Sequence, residues 1–307
     1  MIAIGETREI GVIVVSFNSE RVLPGLLASL EPGMEGVEWR GVLVDNGSSD
    51  RTIELARAYG GSLRVLETGA NLGYAAAVNR GIAELQGDDV LILNPDTRLP
   101  AGAAAGLRRR LIASSAPGGE DAPAGIVAPR LVDANGRLSP SLRHEPSIGR
   151  ALAETLLGVR LAGRLGWAET ILAPGAYRMP TMADWASGAA LLISREALAA
   201  CGGWDESFFL YSEDAEYALR ARDRGLCTRL APEVAVTHLG GDSRSEPGLW
   251  ALLVVNKVLL YRRRHRALSS ALFHTAALVR ELRFAAAGNR SSRRAARALL
   301  NRLEPCR

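Results

Sequence analysis

Between residue 10 and about residue 113, short apolar runs alternate with amphipathic segments, and this alternation constrains the fold more than any other feature. The runs at 10–17, 41–45 and 90–93 are rich in β-branched residues and too short for helices, and they predict buried strands. The more polar segment 63–67 predicts a further strand. Strands that alternate with helices predict an α/β fold built on a parallel, doubly wound sheet with right-handed crossovers.

The run at 90–93 ends abruptly at Asn94-Pro95-Asp96. Pro95 cannot donate to a sheet ladder, so the strand stops and a carboxylate follows its end. Ligands of open α/β sheets bind outside the carboxyl ends of the strands, where a lone Asp is a hard oxygen ligand suited to Mg²⁺ or Mn²⁺ beside a phosphate. Asn, Pro and Asp are also turn formers, so an ordinary exit from a strand remains an equal interpretation.

Two further polar residues, Asp45 and His238, also end predicted strands. We expect Asp45 and Asp96 to face the same edge of the sheet. His238 and Asp96 are able to share one divalent ion, with a ligand phosphate and waters completing its shell. The alternatives are that Asp45 caps the next helix and that His238 is a hydrogen-bonded structural residue.

A pair of acids, Glu213-Asp214, follows an unusually aromatic loop that begins at Trp204. Ser212 predicts the N-cap of a helix with these acids in its first turn. One or two turns further on, Arg220 is placed to steady a carboxylate or a phosphate, whereas we expect Arg222 on the solvated face. The chain has no Gly-x-Gly-x-x-Gly after its first strand and no P-loop sequence, so nicotinamide and P-loop nucleotide sites lose their usual support.

The charge of the chain is unevenly distributed. The formal net charge is +4, yet 13 Lys or Arg face only two acidic residues between Asn256 and Arg307. A basic tail of this kind predicts an anionic membrane surface as partner, helped by partly apolar helices. The alternative is a solvated helical extension or a homodimer surface. Nucleic acid is disfavoured because no recognition motif accompanies the charge.

The compartment is predicted from what the composition lacks. The three cysteines, Cys201, Cys227 and Cys306, show no metal-ligand or redox spacing, so reduced thiols are expected. The N-terminal residues do not form a signal peptide, and no apolar run reaches about 18 residues. We therefore expect a cytoplasmic protein that is peripheral at the inner face of the plasma membrane if its tail binds lipid.

Seven stretches, in this order and spacing, resemble family 2 glycosyltransferases of the GT-A fold, and most of all their bacterial rhamnosyltransferase-like branch. The stretches are VIVVSFNS, VLVDNGSSD, ANLGYAAAVNRG, LILNPDT, DWASGAALLISR, GGWDESFFLYSEDAEYALR and HLGG. Each stretch is weak evidence alone, but seven in register over about residues 9–245 are specific. The resemblance implies a GT-A catalytic domain at 1–245, with a mostly parallel, Rossmann-like sheet flanked by helices, and a basic helical extension at 246–307.

The resemblance also implies a reaction. Its members move a sugar from a nucleoside-diphosphate sugar, with inversion, to a hydroxyl of a cell-envelope saccharide or of a polyprenyl-linked acceptor. The best-matching branch implies rhamnose from dTDP-rhamnose, in cell-wall or polysaccharide biosynthesis. The alternatives are another UDP-, GDP- or dTDP-sugar on the same fold, or a catalytically inactive module that binds nucleotide sugar.

The resemblance assigns residues to the donor side of the site. Asp45 and Asn46 match positions that hold the nucleoside, and Asn71, Gly73 and Asn79 match the motif that shapes the donor pocket. Asn94-Pro95-Asp96 replaces an Asp-x-Asp motif, which lowers the local negative charge. It leaves Asp96 and His238 as the protein ligands of a divalent cation, Mg²⁺ or Mn²⁺.

The resemblance assigns the acceptor side as well. Asp214 matches the general base that takes the proton of the acceptor hydroxyl, and Glu213 is the alternate base. Arg220 supports this side. Trp185, Ser187 and Gly188 match a loop that borders the acceptor.

Overall fold

A computed structural model of the protein describes residues 9–85, 89–114, 122–240 and 246–301. The strands are β1 (Ile10–Ser16), β2 (Trp39–Asp45), β3 (Leu63–Glu67), β4 (Asp89–Leu93), β5 (Thr97–Arg98), β6 (Ala124–Val132), β7 (Leu142–Arg143), β8 (Met182–Ala183), β9 (Trp185–Ala186), β10 (Ala190–Ile193) and β11 (Cys227–His238). The helices are α1 (Leu23–Gly33), α2 (Thr52–Tyr59), α3 (Tyr74–Glu84), α4 (Ala103–Ser114), α5 (Ile148–Arg164), α6 (Arg195–Cys201), α7 (Glu213–Asp223), α8 (Pro247–Arg264), α9 (Ala267–Ala286) and α10 (Arg290–Leu300). Cys306 and the predicted domain boundary at 245 lie outside the described residues.

The central sheet has the strand order β3-β2-β1-β4-β10-β6-β11-β5, with β8 beside β11. The first four strands are parallel, as the alternation of strands and helices predicts. β10 enters antiparallel between β4 and β6, and β11 returns parallel to β6. The predicted α/β class is confirmed, but the sheet is mixed rather than wholly parallel.

The residues of β1 show why its apolar run is continuous. Ile10, Val12 and Val14 belong to a core shared with α1 and α4 on one face of the sheet. Ile13 and Val15 belong to a second core shared with α3, α6 and α7 on the other face. Side chains alternate between the two faces of a strand, so a strand covered by helices on both faces must be apolar at every position.

β11 begins earlier than its apolar pattern indicates. The sequence predicts a strand only at 234–237, whereas the structure extends it back to Cys227. Pro232 and Glu233 interrupt the apolar pattern, and the pairing with β6 shifts register between Ala231 and Ala235. A proline is tolerated at such an irregularity because no ladder hydrogen bond is required from it.

The three C-terminal helices share a core of their own. Val258 and Tyr261 of α8 pack in it with Phe273 of α9 and Leu299 of α10. Lys257, the one lysine of the chain, pairs with Glu169 in the segment that follows α5. Within the described parts of the chain, no helix has the length and hydropathy needed to cross a bilayer.

Candidate active site

The pairing of two short segments brings Asp96 next to His238. β5 follows Asp96 directly and pairs antiparallel with the end of β11, so that His238 lies opposite Thr97. Nε2 of His238 is consequently 3.2 Å from Oδ2 of Asp96. The amide of Gly240 donates to the same Oδ2 at 2.9 Å. Burial alone would raise the pKa of Asp96, but the contact with His238 and the Gly240 amide lower it below its ordinary value.

The geometry of this pair fits a divalent cation. Neighbouring ligands of an octahedral ion with bonds of about 2.1 Å lie about 3 Å apart, close to the observed separation of the two side chains. Within the described residues, no group of three or more His, Cys, Asp or Glu side chains is arranged to hold a metal. A two-residue set suits Mg²⁺ or Mn²⁺, whose remaining positions are commonly filled by phosphate and water.

Asp45 is buried, at 1% exposure, and its hydrogen bonds are to residues of its own turn and of β1. Its carboxylate accepts hydrogen bonds from the hydroxyls of Ser16 and Ser48 and from the amides of Gly47 and Ser48. The alternative that Asp45 caps α2 is wrong, since Asp50 accepts from the first helical amide, that of Thr52. Asp45 therefore shapes the loop that follows β2.

Asn46 connects the loops that follow β2 and β3. Its Oδ1 accepts from the amide of Leu72 at 3.0 Å, and its Nδ2 donates to Asn71 Oδ1 and to the carbonyl of Gly73. Gly73 has a φ of 91°, and a Cβ there would lie 2.5 Å from the carbonyl oxygen of Phe209. Only glycine fits this approach. The donor-side residues Asn46, Asn71 and Gly73 thus form one structural unit.

Tyr74, which the sequence marked only as the approach to a helix, lies at the centre of the site. Its hydroxyl is 3.1 Å from Asn94 Oδ1 and 3.3 Å from the carbonyl oxygen of Gly188. Burial raises its pKa well above the usual range, and the charges of Glu213, Asp214 and Asp96 raise it further. The phenol therefore stays protonated and close to all three carboxyl groups.

Asp214 is fixed by two backbone amides. Gly188 donates to its Oδ2 at 3.0 Å, and Ala215 donates to its Oδ1 at 2.8 Å. Burial raises the pKa of Asp214, although these amides and the positive charge of Arg143 offset part of the rise. One predicted acceptor-side residue, Gly188, thus orients the predicted base.

Glu213 has a different environment from its neighbour. Its side chain is only 5% exposed, and Oε2 has no hydrogen-bond partner among the described residues. Burial, followed by the negative charge of Asp214, raises the pKa of Glu213 to about 8. Of the pair, Asp214 is the better placed to carry a negative charge, because two backbone amides donate to its carboxylate.

The backbone before these acids adopts an unusual conformation. Tyr211 and Ser212 have φ values of 67° and 73°, in the left-handed region that costs a residue with a side chain about 1 kcal/mol or more. Ser212 occupies the predicted N-cap position of α7, but its side chain makes no capping hydrogen bond. Such a cap requires an extended backbone, which Ser212 does not have.

The remaining acceptor-side residues line the same region. Trp185 donates from Nε1 to the carbonyl of His144, and the Ser187 amide donates to the carbonyl of Ser141. The guanidinium of Arg143 lies 5.7 Å from the Trp185 ring centroid and close enough to Asp214 to influence its pKa. Arg143 was not singled out by the sequence because no motif includes it.

Two predicted site residues make their contacts elsewhere. Asn79 bonds to both the amide and the carbonyl of Trp204. Arg220 donates to the carbonyls of Cys201 and Gly203 and pairs with Glu216, not with Asp214. Both side chains therefore hold the start of the aromatic loop.

The expectation of a solvated Arg222 is wrong. The guanidinium of Arg222 is half-buried between Glu145 at 2.6 Å and Asp184 at 2.8 Å. Arg264 of α8 joins the same network through Glu145 and Asp223. The network ties α7 to α8, a tertiary contact that helical periodicity alone does not predict.

Comparisons with known proteins agree with this architecture. The family model described as glycosyl transferase family 2 matches residues 11–113. An N-acetylglucosaminyl-diphospho-decaprenol L-rhamnosyltransferase of Mycobacterium tuberculosis is 33% identical over 244 residues, which cover 74% of this chain and 75% of that protein. A hexosyltransferase of low-salt glycan biosynthesis from Haloferax volcanii is 26% identical over 70% of this chain and 62% of that protein.

Solved structures share the fold at low sequence identity. A mannosyltransferase from Pyrobaculum calidifontis, in complex with GDP-Man and Mn²⁺, has a TM-score of 0.55 and 17% identity, and the match covers 96% of this chain and 81% of that one. S. aureus TarS in complex with UDP has a TM-score of 0.51 and 15% identity over 88% of this chain and 70% of that one.

The chain has the fold of these structural neighbours, which is the GT-A type. The family model and the mycobacterial relative define the class of protein as a glycosyltransferase. The 33% identity to the mycobacterial rhamnosyltransferase, over 74% of this chain, makes the assignment more specific. The protein belongs to glycosyl transferase family 2, and within that family it is rhamnosyltransferase-like.

Proposed function

We propose that this enzyme transfers rhamnose from dTDP-rhamnose, with inversion, to a polyprenyl-diphosphate-linked N-acetylglucosamine acceptor. The contacts of the Tyr74 phenol carry the proposal. Its hydroxyl bonds to Asn94, which lies two residues before Asp96 and its partner His238, and to the carbonyl of Gly188, whose amide holds Asp214. The sugar and the acceptor are supported by the name of the mycobacterial relative. The nucleotide, dTDP, is the one that the resemblance to the rhamnosyltransferase-like branch implies.

Asp214 is proposed to act as the general base. As the acceptor oxygen attacks the anomeric carbon, its proton passes to Oδ of Asp214, and the bond from that carbon to the diphosphate oxygen breaks. A single displacement from the opposite face inverts the anomeric centre, and no enzyme nucleophile is needed. The Gly188 and Ala215 amides hold the carboxylate in one orientation throughout.

Asp96 and His238 are proposed to hold the divalent cation. When bound, Mg²⁺ or Mn²⁺ supplies Lewis-acid stabilisation of the negative charge that develops on the leaving diphosphate. The loops connected by Asn46, Asn71 and Gly73 are proposed to border the nucleoside. Asp45 is proposed to hold the first of these loops in shape through its hydrogen bonds to Gly47 and Ser48. Asn79 and Arg220 are proposed to act indirectly, through the loop that they hold.

The base assignment is tested by replacing one carboxylate at a time with an amide. Asp214→Asn is expected to lower kcat by about 10²-fold or more, while the donor dissociation constant changes less than about twofold. Asp133→Asn, the same substitution in a turn outside the site, is the control. Retained transfer in Asp214→Asn, together with loss in Glu213→Gln, would move the role to Glu213.

The cation and the nucleotide are tested together by calorimetric titration of dTDP and UDP, with and without Mn²⁺. We expect Mn²⁺ to strengthen binding of the preferred nucleotide at least tenfold, and Asp96→Asn or His238→Asn to abolish that gain. Asp133→Asn, in a turn outside the site, should leave it unchanged. Equal affinities with and without the metal contradict the proposed ligands, and tight binding without turnover of any donor identifies an inactive module.

We also propose that the enzyme docks peripherally on anionic lipid, where a polyprenyl-linked acceptor resides. Leucines remain exposed along α5 and α9, the most exposed being Leu156 at 71% and Leu268 at 75%. The two helices are adjacent, since Arg283 of α9 donates to the carbonyl of Thr155 in α5. The exposed arginines of α10, Arg290, Arg293, Arg294 and Arg297, line one cleft with Pro247. Exposed leucines and clustered arginines are both typical of helices that lie in the membrane interface.

A further inference from the structure

The side chain of Asn256, in the middle of α8, reaches into the loop that precedes Glu213 and Asp214. It is 3% exposed, and its Nδ2 donates to the carbonyl of Leu210 at 2.8 Å and to that of Tyr211 at 3.3 Å. Both acceptors are backbone groups, four and three residues before Asp214. A side chain that is nearly 50 residues away in sequence therefore contacts the loop that carries the proposed base.

Asn256 belongs to one face of α8. Residues 256, 260 and 263 follow the i, i+4, i+7 spacing that places side chains on the same side of a helix. Leu260 packs with Phe208 and Leu219 in a small buried cluster. Arg263 lies 4.6 Å from the Phe208 ring centroid and pairs with Asp205 at 2.5 Å. This face of α8 thus contacts the loop from Asp205 to Tyr211.

The loop needs such support because its backbone is strained. Tyr211 and Ser212 are consecutive residues with side chains in the left-handed region, a conformation that persists only where the surroundings determine it. Without the amide of Asn256, the partly buried carbonyls of Leu210 and Tyr211 would lose a donor, and relaxed backbone conformations would become more favourable. A relaxed backbone at Ser212 would displace Glu213 and Asp214 together.

We propose that Asn256 is a positioning residue for the base. The face of α8 that carries Asn256 thereby supports the catalytic site. The proposal rests on the assignment of Asp214 as the base under the proposed function. It assigns Asn256 no contact with donor or acceptor. The expected consequence is a defect in turnover and not in donor binding.

The experiment replaces the amide by an apolar group of similar size. Asn256→Leu, with Asn256→Ala as a second variant in case the leucine does not fit, is expected to lower kcat at least tenfold while the donor KM changes less than twofold. Val258→Ala is the matched control, because Val258 lies on the same helix but faces the core shared with Phe273 and Leu299. The control should retain kcat at a comparable loss of Tm.

Hydrogen–deuterium exchange provides a readout that does not require activity. Peptides covering 205–216 should exchange faster in either Asn256 variant than in the wild type, and at the wild-type rate in Val258→Ala. Unchanged exchange in this loop, or an equal loss of kcat in Val258→Ala, overturns the positioning role. If the wild type transfers no sugar but its loop exchanges as expected, the support from α8 stands and the proposed function fails.

Discussion

At the scale of single residues, Glu213 couples protonation to stability. Its pKa is raised to about 8 in the folded chain by burial and by Asp214, against an ordinary value of 4.5. Between these values the folded chain keeps a proton that the unfolded chain has lost, so the free energy of unfolding falls as pH rises. The stabilisation is fully present below about pH 4.5 and is lost as pH rises through about 8.

Glu213→Gln should remove this dependence. The wild type is expected to lose up to about 1 kcal/mol of unfolding free energy per pH unit between pH 5 and 8, and the variant less. Above pH 8 the variant should be the more stable of the two, because it has a neutral amide at position 213, where the wild type buries an ionised carboxylate. Urea unfolding at pH 5, 7 and 8.5 measures the difference, and parallel pH dependences of the two proteins contradict the assignment.

The charged residues of the site were easier to predict from the sequence than the neutral ones. Asp96, Asp214 and His238 are recognisable because each follows a strand or begins a helix at a predicted position. Tyr74 and Asn256 are not, since a tyrosine at a helix start and an asparagine within an apolar helix are unremarkable as sequence. Their importance arises from neighbours that are distant along the chain, at Asn94 and Gly188 in one case and at Leu210 in the other.

At the scale of elements, the Gly73 loop closely approaches the aromatic loop, and this contact connects the proposed donor and acceptor sides. The amide of Tyr74 donates to the carbonyl of Phe209 at 2.7 Å, which a Cβ on Gly73 would prevent. Gly73→Ala is expected to cost more than about 1 kcal/mol of stability and to weaken donor binding, because φ is positive and the two loops must separate. Thermal unfolding and donor titration measure the two effects.

Gly149→Ala is the matched control for this substitution. A Cβ on Gly149 meets no atom within 4 Å, and its φ is not in the left-handed region. Its Tm should remain the same or rise slightly, since alanine suits a helix better than glycine. An equal loss of Tm in both variants would show that the approach of the two loops matters little.

The direction of strands was harder to predict than their existence. The apolar run that forms β10 has the same pattern in either direction, so nothing in it indicates that the strand lies antiparallel between β4 and β6. β5 has only two residues and no detectable pattern, yet its pairing with β11 places Asp96 beside His238. β1, β2 and β4 were predictable because burial on both faces requires a continuous apolar run.

At the scale of the whole molecule, the proposed membrane face predicts binding to anionic vesicles. Arg293→Gln with Arg297→Gln should weaken binding to vesicles rich in phosphatidylglycerol about tenfold or more, at about 1 kcal/mol per charge. Leu156→Ser with Leu272→Ser should weaken it separately, by removing exposed apolar contact. Vesicle sedimentation at low and high salt measures both effects.

Arg80→Gln with Arg109→Gln removes the same charge from exposed positions elsewhere on the chain and serves as the control. Equal binding by all three double variants would exclude this face. Surface substitutions are preferable to a truncation after Tyr261, which would remove Phe273 and Leu299 from the core that they share with α8.

The contact of α8 with the loop before Glu213 has a practical consequence for dissecting the enzyme. A fragment ending at residue 245 would retain every strand, Asp96, His238 and Asp214, and by sequence boundaries alone would pass for a minimal transferase. It would lack the Asn256 amide and the Arg263 guanidinium, which contact the loop at Leu210 and Asp205. We expect such a fragment to bind nucleotide but to have a low kcat. Low activity of the fragment would therefore not contradict the reaction proposed for the intact chain.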